Sequence, residues 1–235
     1  MKFETPLIPG KLIQRYKRFM ADVKLDSGEI VTAHCMNSGS MMGLTAPGNR
    51  VWLSPAQNPA AKLKWKWEIV EVDGVPVGIN TGHPNRLAAE AIEAGQVPEL
   101  KGYRSLRREV KFGAENSRVD ILLDGHEGGR PATFVEVKNV TLRQAEAAAF
   151  PDAVTDRGTK HLRELAKVAQ NGGRAVMFYL AQRNDCTHFT LADKIDPAYA
   201  RAFRDAQAAG VEAIAYAFDV SPKEIRLARP LRINV

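Results

Sequence analysis

The chain has 235 residues, 45% of them hydrophobic and 26% charged, which excludes a mostly disordered polypeptide and fits one large domain or two small ones. No apolar run approaches the ~20 residues needed to cross a bilayer, and the opening MKFETPLIPGKLIQRYKRFM lacks the apolar core of a secretory signal, so a cytoplasmic protein with no membrane partner is expected. A net charge of +6 favours a polyanionic partner, nucleic acid first, although it is also an ordinary solubility charge.

The first third reads as short strands separated by turns. KRFMADVKL (17–25) and EIVTAHC (29–35) flank the turn Asp26-Ser27-Gly28, a hairpin signal. NRVWLS (49–54), WKWEIVEVD (65–73) and VPVGINT (75–81) follow, the last two joined by Asp73-Gly74. Five such strands within about 80 residues predict a small OB-like β-barrel. The Gly- and Ser-rich NSGSMMGLTAPGN (37–49) is read as a loop across one end.

From about residue 85 the pattern changes. NRLAAEAIEAG (85–95) predicts a helix with Asn85 as N-cap and Gly95 as stop. REVKFG (108–113) and SRVDILLDG (117–125) read as paired strands around Ala114-Glu115-Asn116, and ATFVEVKNV (132–140) as a third. TDRGTKHLRELAKVAQNGG (155–173) predicts a helix. RAVMFYLAQ (174–182) is nearly all apolar, as expected of a strand buried on both faces. PAYARAFRDAQAAG (197–210) predicts a helix with Pro197 at its first turn, and VEAIAYAFDV (211–220) a final strand. The expected division is 1–82 for the barrel and 83–235 for the second domain. Cys35 and Cys186 share no metal-type spacing and are read as free thiols.

One stretch carries chemistry. In FVEVKNV (134–140) the two-residue strand period puts Glu136 and Lys138 on one face and Val135 and Val137 on the other. Alone, this is the wet face of a strand. Asp120 lies on the polar-containing face of the preceding strand, and pairing of the two strands brings it toward Glu136. Two neighbouring carboxylates repel unless a cation neutralises them, and Mg²⁺ commonly takes one or two carboxylates while keeping its remaining waters. Asp120 and Glu136 are therefore read as metal ligands for Mg²⁺ or Mn²⁺, with Lys138 as a catalytic group and Glu109 and Glu90 as candidates to complete the site. In the following helix, Lys160, Arg163 and Lys167 are spaced three and four apart and form a basic stripe. Arg157 precedes it, and His161 lies beside it, expected at the surface. Leu162, Leu165, Ala166 and Ala169 are expected to pack on the sheet.

The barrel has its own basic candidates. Lys62, Lys64 and Lys66 alternate with Leu63, Trp65 and Trp67, and Arg15, Lys17 and Arg18 surround Tyr16. Basic residues interleaved with aromatics suit contact with a nucleic-acid backbone, while the tryptophans are expected in the barrel core. The charge is shared: residues 1–84 carry 10 Lys+Arg against 7 Asp+Glu and residues 85–235 carry 23 against 20, a net +3 each.

LIQRYKRFMADV (12–23), HCMNSGSMMG (34–43), NTGHPNRL (80–87), EVKFGAENSRVD (109–120), FVEVKNVTL (134–142) and FPDAVTDRGTKHLREL (150–165) together resemble the sugar fermentation stimulation protein (SfsA) family over essentially the whole chain. The resemblance implies an α/β (α+β) protein with an N-terminal OB-like domain and a C-terminal restriction-endonuclease-like domain of the PD-(D/E)xK kind, αβββαβ. Asp120 then takes the Asp position, preceded by Val119 in place of the pattern's Pro, and Glu136 and Lys138 take the (D/E)xK pair. It also implies DNA binding through the phosphate backbone with little sequence preference and a regulatory role in sugar (maltose) metabolism. The alternative is an active Mg²⁺-dependent nuclease, because a nuclease-like fold alone does not establish cleavage.

Overall fold

The computed structural model describes residues 1–58, 60–113 and 117–235; the expected turn Ala114-Glu115-Asn116 lies outside the described residues. The N-terminal part holds β1 (Ile8–Tyr16), β2 (Met20–Leu25), β3 (Ile30–Cys35), β4 (Arg50–Pro55), β5 (Trp65–Val72) and β6 (Val75–Gly78). They run in the order β3-β2-β1-β4-β5-β6, and a further β3–β5 pairing closes the first five into a barrel. Closure leaves no free edge among these five, which removes a template for aggregation. The barrel core includes Val23, Ala33, Val51, Leu53 and Trp67, and the fully buried Trp67 indole N–H donates to the Ile69 carbonyl at 2.9 Å.

Two expectations for the barrel are corrected. The segment 17–25 is not one strand: Lys17 and Arg18 adopt positive φ in a turn, and the strand starts at Met20. The first barrel strand is instead β1, masked in the sequence by Pro9-Gly10 and its basic content. Gly10 is required there, because a Cβ would stand 2.7 Å from both the Lys24 carbonyl oxygen and a Val23 methyl. β6, expected as a fifth barrel strand, is a short extension on β5.

The second part holds α1 (Pro84–Glu93), a 3-10 turn (Pro98–Leu100), β7 (Ser105–Phe112), β8 (Ser117–Asp124), β9 (Thr133–Val140), β10 (Leu142–Gln144), β11 (Ala147–Phe150), α2 (Asp156–Gln170), β12 (Arg174–Ala181), β13 (His188–Leu191), α3 (Pro197–Ala208), β14 (Glu212–Val220), β15 (Ile225–Pro230) and β16 (Arg232–Ile233). Its main sheet runs β15-β14-β12-β9-β8-β7. The central strands β9, β12 and β14 are parallel, and the outer pairings are antiparallel. Crossovers through α2 and α3 place both helices on one face, over Ala175, Met177, Tyr179 and Ala181. The alternate residues Val176, Phe178 and Leu180 meet α1 on the other. This two-sided burial explains the apolar run of β12.

A second small sheet, β10-β11-β13-β16, is absent from the expected order. Its strand AAAF carries little β propensity and exists through parallel pairing with β13. The α1 N-cap is His83, with Pro84 at the first helical position, rather than Asn85. That shift leaves the Asn85 side chain available elsewhere. The two parts are tied together by a bond from the Gly78 amide to the Gln182 carbonyl at 2.9 Å and one from the Met41 amide to Asp152 at 3.0 Å. Among the described residues no helix is long and apolar enough to cross a membrane.

Candidate active site

The site forms where β8 and β9 part. Their ladder runs from Leu123↔Thr133 to Ile121↔Val135 and goes no further. In place of the next backbone bond, the Val137 N–H donates to Asp120 Oδ2 at 2.8 Å. Asp120 Oδ1 accepts from Asn85 Nδ2 at 2.7 Å, and the same amide nitrogen donates to Glu109 Oε1 at 3.1 Å. Glu109 stands opposite Asp120 in an unshifted register, between the pairs Arg108↔Ile121 and Val110↔Val119, and its backbone adopts φ +55°. A left-handed non-glycine residue is strained and persists where its surroundings impose it.

Glu136 is 2% exposed. Its Oε1 accepts from Lys138 Nζ at 2.6 Å and also contacts His161 Nδ1. Arg157 Nε donates to the other His161 ring nitrogen at 3.5 Å. Glu136 Oε2 is buried with no hydrogen-bond partner among the described residues. Burial is the largest influence on the Glu136 carboxyl and raises its pKa, but Lys138 and His161 together outweigh it and leave it below the ordinary value. Asp120 is pushed up to about 6, first by burial and then by the Glu136 charge, against the Val137 amide, Lys138 and Asn85. The two carboxylates thus have separated proton affinities, a frequent property of reactive sites.

This arrangement fits a divalent cation. The donors are hard carboxylate oxygens, one of them is buried without a partner, and the charge of one carboxylate raises the pKa of the other. Among the described residues no cluster of three or more His, Cys, Asp and Glu side chains suits a metal.

The sequence candidates distribute unevenly. Asp120, Glu136, Lys138, Glu109 and His161 converge. Glu90 does not: its carboxylate takes the Met1 ammonium at 2.9 Å and Arg86 at 2.7 Å. His161, expected at the surface, is 6% exposed, because its position on α2 faces the sheet one turn from Gly158, also buried. Arg157, Arg163 and Lys167 are exposed and Lys160 is half-buried; Lys167 donates to Glu164 at 2.8 Å. Lys62 and Lys64 are exposed and Lys66 half-buried along β5 and the loop before it. Lys17 and Arg18 form the β1–β2 turn, whereas the Arg15 guanidinium donates to the carbonyls of Asn37 and Gly39 at 2.9 Å each, and of Ser40 at 3.4 Å. Asn85 is a site residue that sequence reasoning assigned to helix capping. Its signal was its place in NTGHPNRL.

Fold and site together define a two-domain protein that couples an OB barrel to a restriction-endonuclease-like domain. Residues 13–79 match the model for the "SfsA N-terminal OB domain", and residues 82–224 match that for the "Sugar fermentation stimulation protein RE domain". Relatives described as "Sugar fermentation stimulation protein homolog" include one from Paramagnetospirillum magneticum, 57% identical over 100% of this chain and 98% of the relative. Another, from Geobacter metallireducens, is 56% identical over 99% of each chain. The solved structure of Pyrococcus furiosus SfsA in complex with Ca²⁺ superposes with a TM-score of 0.89 at 29% identity, covering 100% of this chain and 98% of that one. The chain belongs to the sugar fermentation stimulation protein family.

Proposed function

We propose that this chain binds DNA along its phosphate backbone with little sequence preference and hydrolyses phosphodiester bonds at a divalent-cation site. The observation that carries the reading is the buried Glu136 Oε2, without a hydrogen-bond partner among the described residues, beside an Asp120 carboxyl whose pKa is raised first by burial and then by the Glu136 charge. Asp120 and Glu136 would hold the cation, Mg²⁺ or Mn²⁺; that the Pyrococcus furiosus relative was solved in complex with Ca²⁺ supports a divalent ion as a ligand of this fold. Such an ion supplies Lewis acidity at a phosphoryl oxygen. Lys138 contributes a cation next to the reacting phosphate and a group able to exchange a proton with the attacking water. Asn85 fixes the Asp120 carboxylate and reaches Glu109. His161 fixes the Glu136 carboxylate from below the sheet. The exposed Arg163 and Lys167 on α2 suit phosphate contacts that carry no base information.

The second reading is binding without cleavage, in the regulatory role in sugar (maltose) metabolism expected of the family. It is supported by the Lys138 ammonium, which pairs with Glu136 Oε1 at 2.6 Å and itself offsets that charge. Incubating linear, nicked, branched and single-stranded DNA with Mg²⁺ or Mn²⁺ separates the two. Cleavage by the wild type and its loss in Lys138→Ala supports hydrolysis. DNA binding without cleavage by the wild type supports the second reading.

A further inference from the structure

A cavity of about 330 Å³ lies where the barrel loop after β3 meets the carboxyl end of β9. It is built from three of the motifs named above: Asn37, Ser38 and Gly39; Thr81; and Asn139 with Thr141. Asp152 is the charged residue on its wall among the described residues. The loop is held rigidly. Arg15 binds the carbonyls of Asn37 and Gly39, the Gly39 amide donates to Asn37 Oδ1 at 2.8 Å, and a Cβ at Gly39 would stand 2.9 Å from Asn37 Oδ1 and 3.2 Å from Asp152 Oδ2.

On this fixed frame two nearly buried side chains keep idle polar ends. Asn37 and Thr141 are each 5% exposed, and neither Asn37 Nδ2 nor Thr141 Oγ1 has a hydrogen-bond partner among the described residues. Both ends are accessible from the cavity, so an amide donor and a hydroxyl stand available to a guest there. The cavity is also close to the chemistry. Thr141 is three residues beyond Lys138, within about 10 Å at the rise of a strand, and Thr81 precedes Asn85 by four residues. Ligands of open α/β sheets bind outside the carboxyl ends of the parallel strands, and β9 is one of them.

Resting on the nuclease-like DNA reading above, we infer that this cavity receives the nucleoside of an unpaired nucleotide next to the phosphate at Asp120, Glu136 and Lys138. Amide and hydroxyl groups suit the polar edges of a base or sugar and would not draw a phosphate. A base stacked in a duplex must leave its helix to enter. The preferred substrate is therefore a single strand, a flap or a frayed end.

The test is fluorescence anisotropy without divalent cation, using a labelled thymidine oligomer, a fully abasic oligomer of equal phosphate count, and a duplex of equal length. The wild type should bind the thymidine strand about tenfold more tightly than the abasic strand. Thr141→Val and Thr141→Ala, both of which remove the hydroxyl without adding charge, should reduce that ratio to about twofold and leave duplex affinity unchanged. Equal wild-type binding of thymidine and abasic strands overturns the inference while leaving DNA binding in place. So do folded variants, shown by unchanged circular dichroism, that retain the full ratio. Failure of the wild type to bind any of the three overturns the DNA reading itself.

Discussion

Asp120→Asn should make the protein more stable at pH 8 while abolishing the divalent-cation binding proposed for Asp120 and Glu136. The Asp120 carboxyl, ordinarily near 3.8, is pushed up to about 6 in the folded chain. Above both values it is ionised folded and unfolded, and the folded state bears the full penalty. Below both it is neutral and the penalty vanishes, so this group's contribution to stability improves as pH falls from about 6 toward 4. The shift corresponds to about 3 kcal/mol at pH 8 and roughly half of that at pH 5. Asparagine removes the charge and keeps one acceptor for the Val137 amide, losing about 1 kcal/mol of hydrogen bonding to its second neighbour. The net expectation is a gain of about 1–2 kcal/mol at pH 8, or roughly 3–6 °C in Tm for a chain of this size, and little change at pH 5. Thermal unfolding followed by circular dichroism at the two pH values reads this directly. A variant less stable than wild type at pH 8, or a Tm difference identical at both pH values, would refute the assignment of Asp120 as a charge held against its own stability.

Lys138→Ala is expected to lower DNA cleavage by at least about 100-fold while changing DNA affinity less than about threefold, as gel-based cleavage and anisotropy would show. Glu109→Gly relieves a left-handed non-glycine residue and should raise stability by about 1 kcal/mol while reducing cleavage; an unchanged Tm removes the strain argument. Arg163→Ala, at an exposed position of α2, should weaken binding to all DNA sequences alike and flatten the slope of log affinity against log salt by about 0.9. An unaltered slope places the phosphate contacts on another surface.

The legibility of the sequence followed the range of the interactions. Strand β9 and the buried β12 were readable because their patterns report local geometry: charges at Glu136 and Lys138 with a period of two, and an unbroken apolar run between two helical layers. The barrel was readable as a class, but β1 was not, because Gly10 serves a close approach to the Lys24 and Val23 positions of a neighbouring strand. The strand Ala147–Phe150 was invisible because an alanine run carries little strand propensity and one of its two partners, β13, lies some forty residues away. At the site, the Asp120–Glu136–Lys138 group followed from strand pairing. Asn85 and His161 did not, because each crosses from a helix to the sheet. A helical asparagine near a helix start reads as a cap, and a histidine beside three basic residues reads as surface. Glu90, credited with completing the site, shows the opposite error: a carboxylate on the right helix whose partners are Arg86 and the amino terminus.

The central claim is that Asp120 and Glu136 together hold a divalent cation. Titration calorimetry with Mn²⁺ on the full chain tests it most directly. The account predicts one ion bound per chain in the wild type, with binding lost in both Asp120→Asn and Glu136→Gln although each variant remains folded. Equal Mn²⁺ binding by the wild type and both variants would contradict it.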